Sequence, residues 1–113
     1  METLAVEMLI EPGAEALIEK MGKRLGTKAR SKVMDKTLDL IRQDYHISIV
    51  TAWFSEDRFA PSRRTTVRVS RENADYLTAL AQAIGKGRPA VLLDLVYFAA
   101  VNLSHDDLES MAA

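Results

Sequence analysis

Cysteine is absent from the 113-residue chain. Disulfides and thiolate metal sites are therefore excluded, and a reducing cytoplasm is the compartment that fits. Aromatic residues make up only 6%, with a single tryptophan. No apolar run is long enough for a bilayer. The longest, Ala90 to Leu103, is interrupted by Asp94 and Asn102 and falls short of the roughly 20 residues that a spanning helix needs. Met1 to Ile10 carries Glu2 and Glu7 and no basic segment, so it does not read as a signal peptide. Charge of one sign is lacking too. Fifteen Lys and Arg against 16 Asp and Glu leave a formal net charge of −1, which leaves room for a local basic face but not for a generally basic protein. Reactive constellations are also missing. His46 and His105 have no companions at metal-ligand spacing, and Asp106, Asp107 and Glu109 read as a solvated acidic tail. No nucleophile–base pair, phosphate loop or carboxylate pair stands out. The expectation is a protein that is not an enzyme, with no cofactor, no metal and no membrane partner.

What the chain does have is an internal repeat. Val6 to Ile41 and Thr66 to Ala100 carry similar apolar patterns. Gly26 and Gly85 each follow an aliphatic residue and precede a basic turn, giving an offset of 85 − 26 = 59. At that offset, without gaps, Met8 meets Val67, Ile10 meets Val69, Ile18 meets Leu77, Met21 meets Leu80 and Leu25 meets Ile84. Val33 then meets Leu92 and Asp35 meets Asp94. A repeat of this kind changes the fold expected.

Each copy reads as strand, helix, helix. Arg64 to Ser70 alternates polar and β-branched residues, the period of a half-buried strand. Ser70 suits an N-cap, with Glu72 and Asp75 near the positive end of the helix that follows. Leu77, Leu80, Ala81 and Ile84 form a helical stripe, and Gly85 suits the left-handed residue after it. Pro89 opens a second helix that is apolar on nearly all sides from Val91 to Leu103 and must lie at the centre of the molecule. In the first copy Pro12 begins a helix holding Leu17, Ile18, Met21 and Leu25. Gly26 ends it, and a second helix carries Val33, Met34, Leu38 and Ile41. One strand with two short helices buries too little and leaves its edge unpaired. Two copies solve both problems if the strands pair antiparallel and the second helices interlock. The divisions expected are a first unit at 1–44, a connector packed on the core at 45–62, and a second unit at 63–113. In the connector, Trp53 and Phe54 fill a gap over the core or form an interaction patch.

The second copy, in RTTVRVS, a helix, IGKGRP and a buried helix, resembles the ribbon–helix–helix proteins of the MetJ/Arc superfamily. The resemblance covers most of the chain when both copies count. It implies a mainly α fold with a short antiparallel two-stranded ribbon, here a tandem ribbon–helix–helix pseudodimer in one chain. It also implies sequence-selective binding of double-stranded DNA, as a transcriptional regulator or a DNA-processing accessory. A two-stranded ribbon fits the major groove, and the start of each second helix suits phosphate.

Arg64, Thr66 and Arg68 match the family's base-reading positions. Lys86, Gly87 and Arg88 sit where its phosphate clamp lies, and the first copy offers Thr27, Lys28, Arg30 and Lys32 there. Lys20, Lys23, Arg24 and Lys36 complete seven basic residues between positions 20 and 36, against the one acid Asp35. The first ribbon departs from the pattern, with Ala5, Glu7 and Leu9 in the reading positions. Two readings stay open. Arginine can bond guanine and threonine can bond or touch a base; equally, these are residues on a sheet's open face, and a charge run is the wet face of a helix. The rival function is a protein-interaction module of antitoxin-like or partner-binding type, with Leu9 or the Trp53 region as its contact for a partner or a second copy.

Overall fold

The computed structural model describes residues 2–54 and 63–103. His105, the acidic residues Asp106, Asp107 and Glu109, and part of the connector lie outside the described residues. The described chain is mainly helical, with five helices and a two-stranded antiparallel sheet.

Strand β1 (Thr3–Ile10) buries Val6, Met8 and Ile10 while Ala5 and Glu7 are exposed. Strand β2 (Arg63–Ser70) buries Val67 and Val69 and exposes Arg64, Thr66 and Arg68. This is the alternation that the pleat imposes. The strands pair antiparallel with Val6 opposite Val67 and Glu7 opposite Thr66.

Helix α1 (Pro12–Leu25) has proline in its first turn and ends at Gly26, φ 74°. Helix α4 (Arg71–Ile84) starts from Ser70, whose hydroxyl accepts from Asn73 N, and ends at Gly85, φ 79°. At both ends a glycine takes the left-handed conformation that would cost a side chain energy. Helix α2 (Arg30–Asp44) presents Val33, Met34, Leu38 and Ile41 to the core. Helix α5 (Arg88–Asn102) buries Val91, Leu92, Leu95, Val96, Phe98 and Ala99, so it is the central element, as its all-round apolar sequence requires. The connector holds helix α3 (Ile47–Trp53), which follows an N-cap at His46 and buries Val50. Trp53 meets Phe98 edge-on at 5.7 Å between ring centroids, and Phe54 is buried beside it. These two aromatics fill space over the core.

The halves interlock instead of lying side by side. Helix α5, from the C-terminal half, packs on β1, and α2, from the N-terminal half, packs on β2. Helix α1 also touches α5, and α4 touches α2. Each strand thus packs mainly against the second helix of the opposite half.

The gapless offset needs one correction. It holds for α1 and α4, whose ends differ by 71 − 12 = 59 and 84 − 25 = 59. It fails for α2 and α5, which begin 88 − 30 = 58 apart. At 58, Val33 and Met34 correspond to Val91 and Leu92, and Leu40 and Ile41 to Phe98 and Ala99, all buried. Asp35 and Asp94 are therefore not equivalent. The turn before α2 is Gly26 to Ala29, whereas that before α5 is Gly85 to Gly87. The longer turn folds back on α1, so that a Cβ on Gly22 would lie 2.6 Å from the Thr27 carbonyl oxygen and 3.2 Å from Val33. The matching position in the second half, 22 + 59 = 81, is Ala81, where the shorter turn leaves room for a methyl group. Gly22→Ala is expected to destabilise the fold by about 1–3 kcal/mol. Gly87→Ala, whose added Cβ meets only an ordinary contact at 3.7 Å, is expected to unfold near the parental denaturant midpoint. Equal midpoints for both variants would refute the crowding at Gly22.

Candidate nucleic-acid interface

The outer face of the ribbon is built from two rows of side chains. Ala5, Glu7 and Leu9 come from β1; Arg64, Thr66 and Arg68 come from β2. The register sets Ala5 opposite Arg68, Glu7 opposite Thr66 and Leu9 opposite Arg64. Cations therefore stand at both ends of one row, and the other row has none.

Both arginines lean diagonally across the ribbon. Arg64 Nη1 donates to Glu7 Oε2 at 2.8 Å, with the two side chains 64% and 59% exposed. Arg68 Nε donates to Thr3 Oγ1 at 3.0 Å and its Nη2 to the Thr3 carbonyl at 3.1 Å. In each case the acceptor sits two residues before the cross-strand neighbour, on the same outer face. Exposed pairs of this kind contribute little to stability, so these guanidinium groups can be redirected at small cost.

The start of α2 lies along the free edge of β2. Arg68 N donates to Ser31 Oγ at 2.9 Å, and Ser70 N donates to Asp35 Oδ1 at 2.8 Å. These side chains occupy backbone groups that an unpaired strand edge would otherwise expose. Arg30 Nη1 donates to Thr65 Oγ1 at 3.2 Å, and its Nη2 lies 3.8 Å from Glu15 Oε1, which also holds Arg63. Thr27 Oγ1 accepts from Ala29 N at 3.1 Å, so this threonine shapes the turn. Lys28 and Lys32 are exposed there. An open groove of about 530 Å³ between α1 and this turn is lined by Glu15, Glu19 and Lys23 of α1 together with Lys28 and Arg30.

At the matching turn Gly87 is the N-cap of α5, and Arg88, exposed, is its first residue. Arg30 and Arg88 thus open the two second helices in the same way. Neither N-cap, Ala29 or Gly87, supplies a side-chain hydrogen bond, which leaves first-turn N–H groups of both helices available to an anion. Lys86 differs from Arg88. It is half-buried, with Nζ 3.7 Å from Oδ2 of the buried Asp94.

Sequence reasoning missed a buried polar hub behind the ribbon. Asn73 is fully buried. Its Nδ2 donates to the Asp35 carbonyl, Asp35 Oδ1 and Asp39 Oδ1 at 3.0, 2.7 and 2.8 Å, and its Oδ1 accepts from Arg42 Nε at 3.2 Å. This hub ties α4 to α2 and so fixes the α2 start against β2. The spacing of Asp35 and Asp39, one helical turn apart on α2, was the signal available. Tyr76, also near Arg42, has its pKa pushed up to about 12 by burial, with the arginine acting the other way.

Among the described residues no group of three or more potential ligands could hold a metal ion, and no helix is long and apolar enough to cross a membrane. His46 Nδ1 instead accepts from Ser48 N at the start of α3. Comparison with known proteins returns no match, neither to a protein family nor to a curated protein nor to a solved structure.

Proposed function

We propose that the chain is a tandem ribbon–helix–helix pseudodimer that binds double-stranded DNA in the major groove, as a transcriptional regulator or a DNA-processing accessory. The register supports the pseudodimer. Glu7 lies opposite Thr66, and 66 − 7 = 59 is the repeat offset. A local two-fold relating the halves therefore passes through that pair, as in a ribbon made from two equivalent strands. The observation that carries the DNA reading is the outer ribbon face. It exposes Arg64, Thr66 and Arg68 in one row, and two helices opening on Arg30 and Arg88 have N-termini without side-chain caps. A ribbon of this width enters the major groove, and helix starts with basic residues suit the flanking phosphates.

Within this reading Arg64, Thr66 and Arg68 contact bases, while Lys28, Arg30, Lys32 and Arg88 grip phosphates. Lys86 is tied to Asp94, and Arg30 to Thr65 and Glu15, so both contribute less than the exposed Lys28, Lys32 and Arg88. The direct test is anisotropy of a labelled random-sequence duplex titrated at low and moderate salt. Binding that weakens steeply with salt supports the phosphate-gripping face; no binding by folded protein at low salt refutes the proposal. Arg68→Ala is expected to weaken binding to a selected site by about 1–3 kcal/mol while sparing random duplex. An equal loss on every sequence would remove its base-reading role. Lys28→Ala is expected to weaken all sequences alike and to flatten the salt slope by about one unit, and an unchanged slope would exclude Lys28 from the clamp.

One feature favours a second reading, a protein-interaction module on the same fold. Glu7 stands at the centre of the ribbon between Ala5 and Leu9, a row with no positive charge. Failure to bind DNA at low salt would make that row the surface to probe with protein partners.

A further inference from the structure

Glu7 is the carboxylate on the ribbon's reading face, and it is held by a reading arginine. Glu7 Oε2 lies 2.8 Å from Arg64 Nη1, with both side chains mostly exposed. The other arginine, Arg68, is held instead by a threonine and a carbonyl. The ribbon thus carries one composite element, donor beside acceptor, and one donor alone.

We infer that the Glu7–Arg64 pair acts as a single specificity element that reads one G·C base pair in one orientation. The inference rests on the ribbon entering the major groove. There a G·C pair presents guanine N7 and O6 as acceptors and, adjacent to them, the cytosine N4 amino group as donor. A guanidinium has five N–H donors in a planar fork, and a carboxylate has acceptor sites on both oxygens. Arg64 can bond guanine bidentately while keeping one N–H on Glu7. Glu7 can accept from cytosine N4 while keeping Arg64. The two side chains already stand side by side, so the pair is preorganised for two adjacent base edges.

The same chemistry excludes the alternatives. With the base pair reversed, Glu7 faces guanine O6 and Arg64 faces the cytosine amino group, acceptor against acceptor and donor against donor. An A·T pair sets thymine O4 against the carboxylate, and a T·A pair puts the thymine methyl where the second donor of Arg64 needs guanine N7. The element is also electrically neutral, so it adds nothing to general phosphate attraction. It acts by penalising wrong bases, which is specificity by repulsion. No equivalent exists at the other end of the ribbon, where Ala5 faces Arg68. The DNA site is therefore not a palindrome, although the backbone of the ribbon pairs about a two-fold.

The test selects the preferred duplex from a randomised pool with the full chain, then measures wild type and Glu7→Ala on that duplex and on versions with each G·C pair reversed. For wild type, one reversal is expected to weaken binding by roughly 10- to 100-fold. In Glu7→Ala that penalty should fall to a few-fold, while binding to random duplex tightens because a negative charge has gone from the face. Circular dichroism establishes that the variant is folded. Tighter random binding with every base preference unchanged overturns the inference and leaves Glu7 as a counter-ion only, with DNA binding intact. Absence of any duplex binding by folded wild type overturns the DNA reading itself, and this inference with it.

Discussion

Replacing Asn73 with leucine is expected to lower the free energy of unfolding by about 2–4 kcal/mol. Leucine keeps the branched shape of asparagine but is bulkier, so no cavity forms and the loss is polar with some crowding added. Asn73 is fully buried; its two amide N–H groups are shared among three acceptors on Asp35 and Asp39, and its Oδ1 accepts from Arg42. Without it, a backbone carbonyl and two carboxylates face a hydrocarbon side chain. The Asp39 and Arg42 side chains remain 29% exposed, so water recovers part of the penalty and the larger cost of breaking a fully buried ion network is not reached. Arg42 also keeps its contacts with Asp39 and Glu72, each at 3.3 Å. The measurement is a urea titration: the midpoint should fall with the slope unchanged. A loss below about 1 kcal/mol would show that α2 is fixed to α4 by apolar packing alone.

The second large effect is expected from Phe98→Ala, at about 3–5 kcal/mol. Phe98 is 1% exposed on the central helix. Its ring meets Tyr45 edge-on at 5.2 Å and Trp53 edge-on at 5.7 Å, a geometry in which aromatic pairs add to simple burial. The end of α2 and the short α3 both lean on this one ring. Trp53 is the only tryptophan in the chain, so its emission reports that contact. The variant should unfold earlier and, while still folded, emit further to the red as α3 loosens. Unchanged emission with reduced stability would mean that α3 is held by Val50 and Phe54, both buried, without help from Phe98.

Local chemistry made much of the scaffold legible in the sequence. Strand parity in β2, the Ser70 cap, Pro12 at the start of α1 and the glycines after α1 and α4 each follow from the backbone demands of single residues. Helix α5 was legible because a segment apolar on all sides has only one place to go. That same property hid the shorter second turn: almost any offset aligns apolar residues with an all-apolar helix, so the pattern could not reveal the missing residue. The role of Asn73 was invisible for a different reason. An asparagine in the first turn of a helix reads as a surface residue, and its burial depends on Asp35, Asp39 and Arg42, more than 30 positions away. In the candidate interface, parity gave the two outward rows. The Lys86–Asp94 contact could not be read from spacing, because it depends on how the turn folds back over α5.

Both strands of the ribbon belong to one chain, and each half covers the other's strand. Joining of the two halves is therefore a first-order event that does not depend on how many molecules are present. A protein assembled from separate subunits loses its folded form on dilution, whereas this one should melt at the same temperature across a wide concentration range. On the proposed DNA-binding function, occupancy of a site well below saturation would rise in direct proportion to the amount of protein, without the threshold that subunit pairing imposes. Scarcity would thin the population of molecules but leave each one whole.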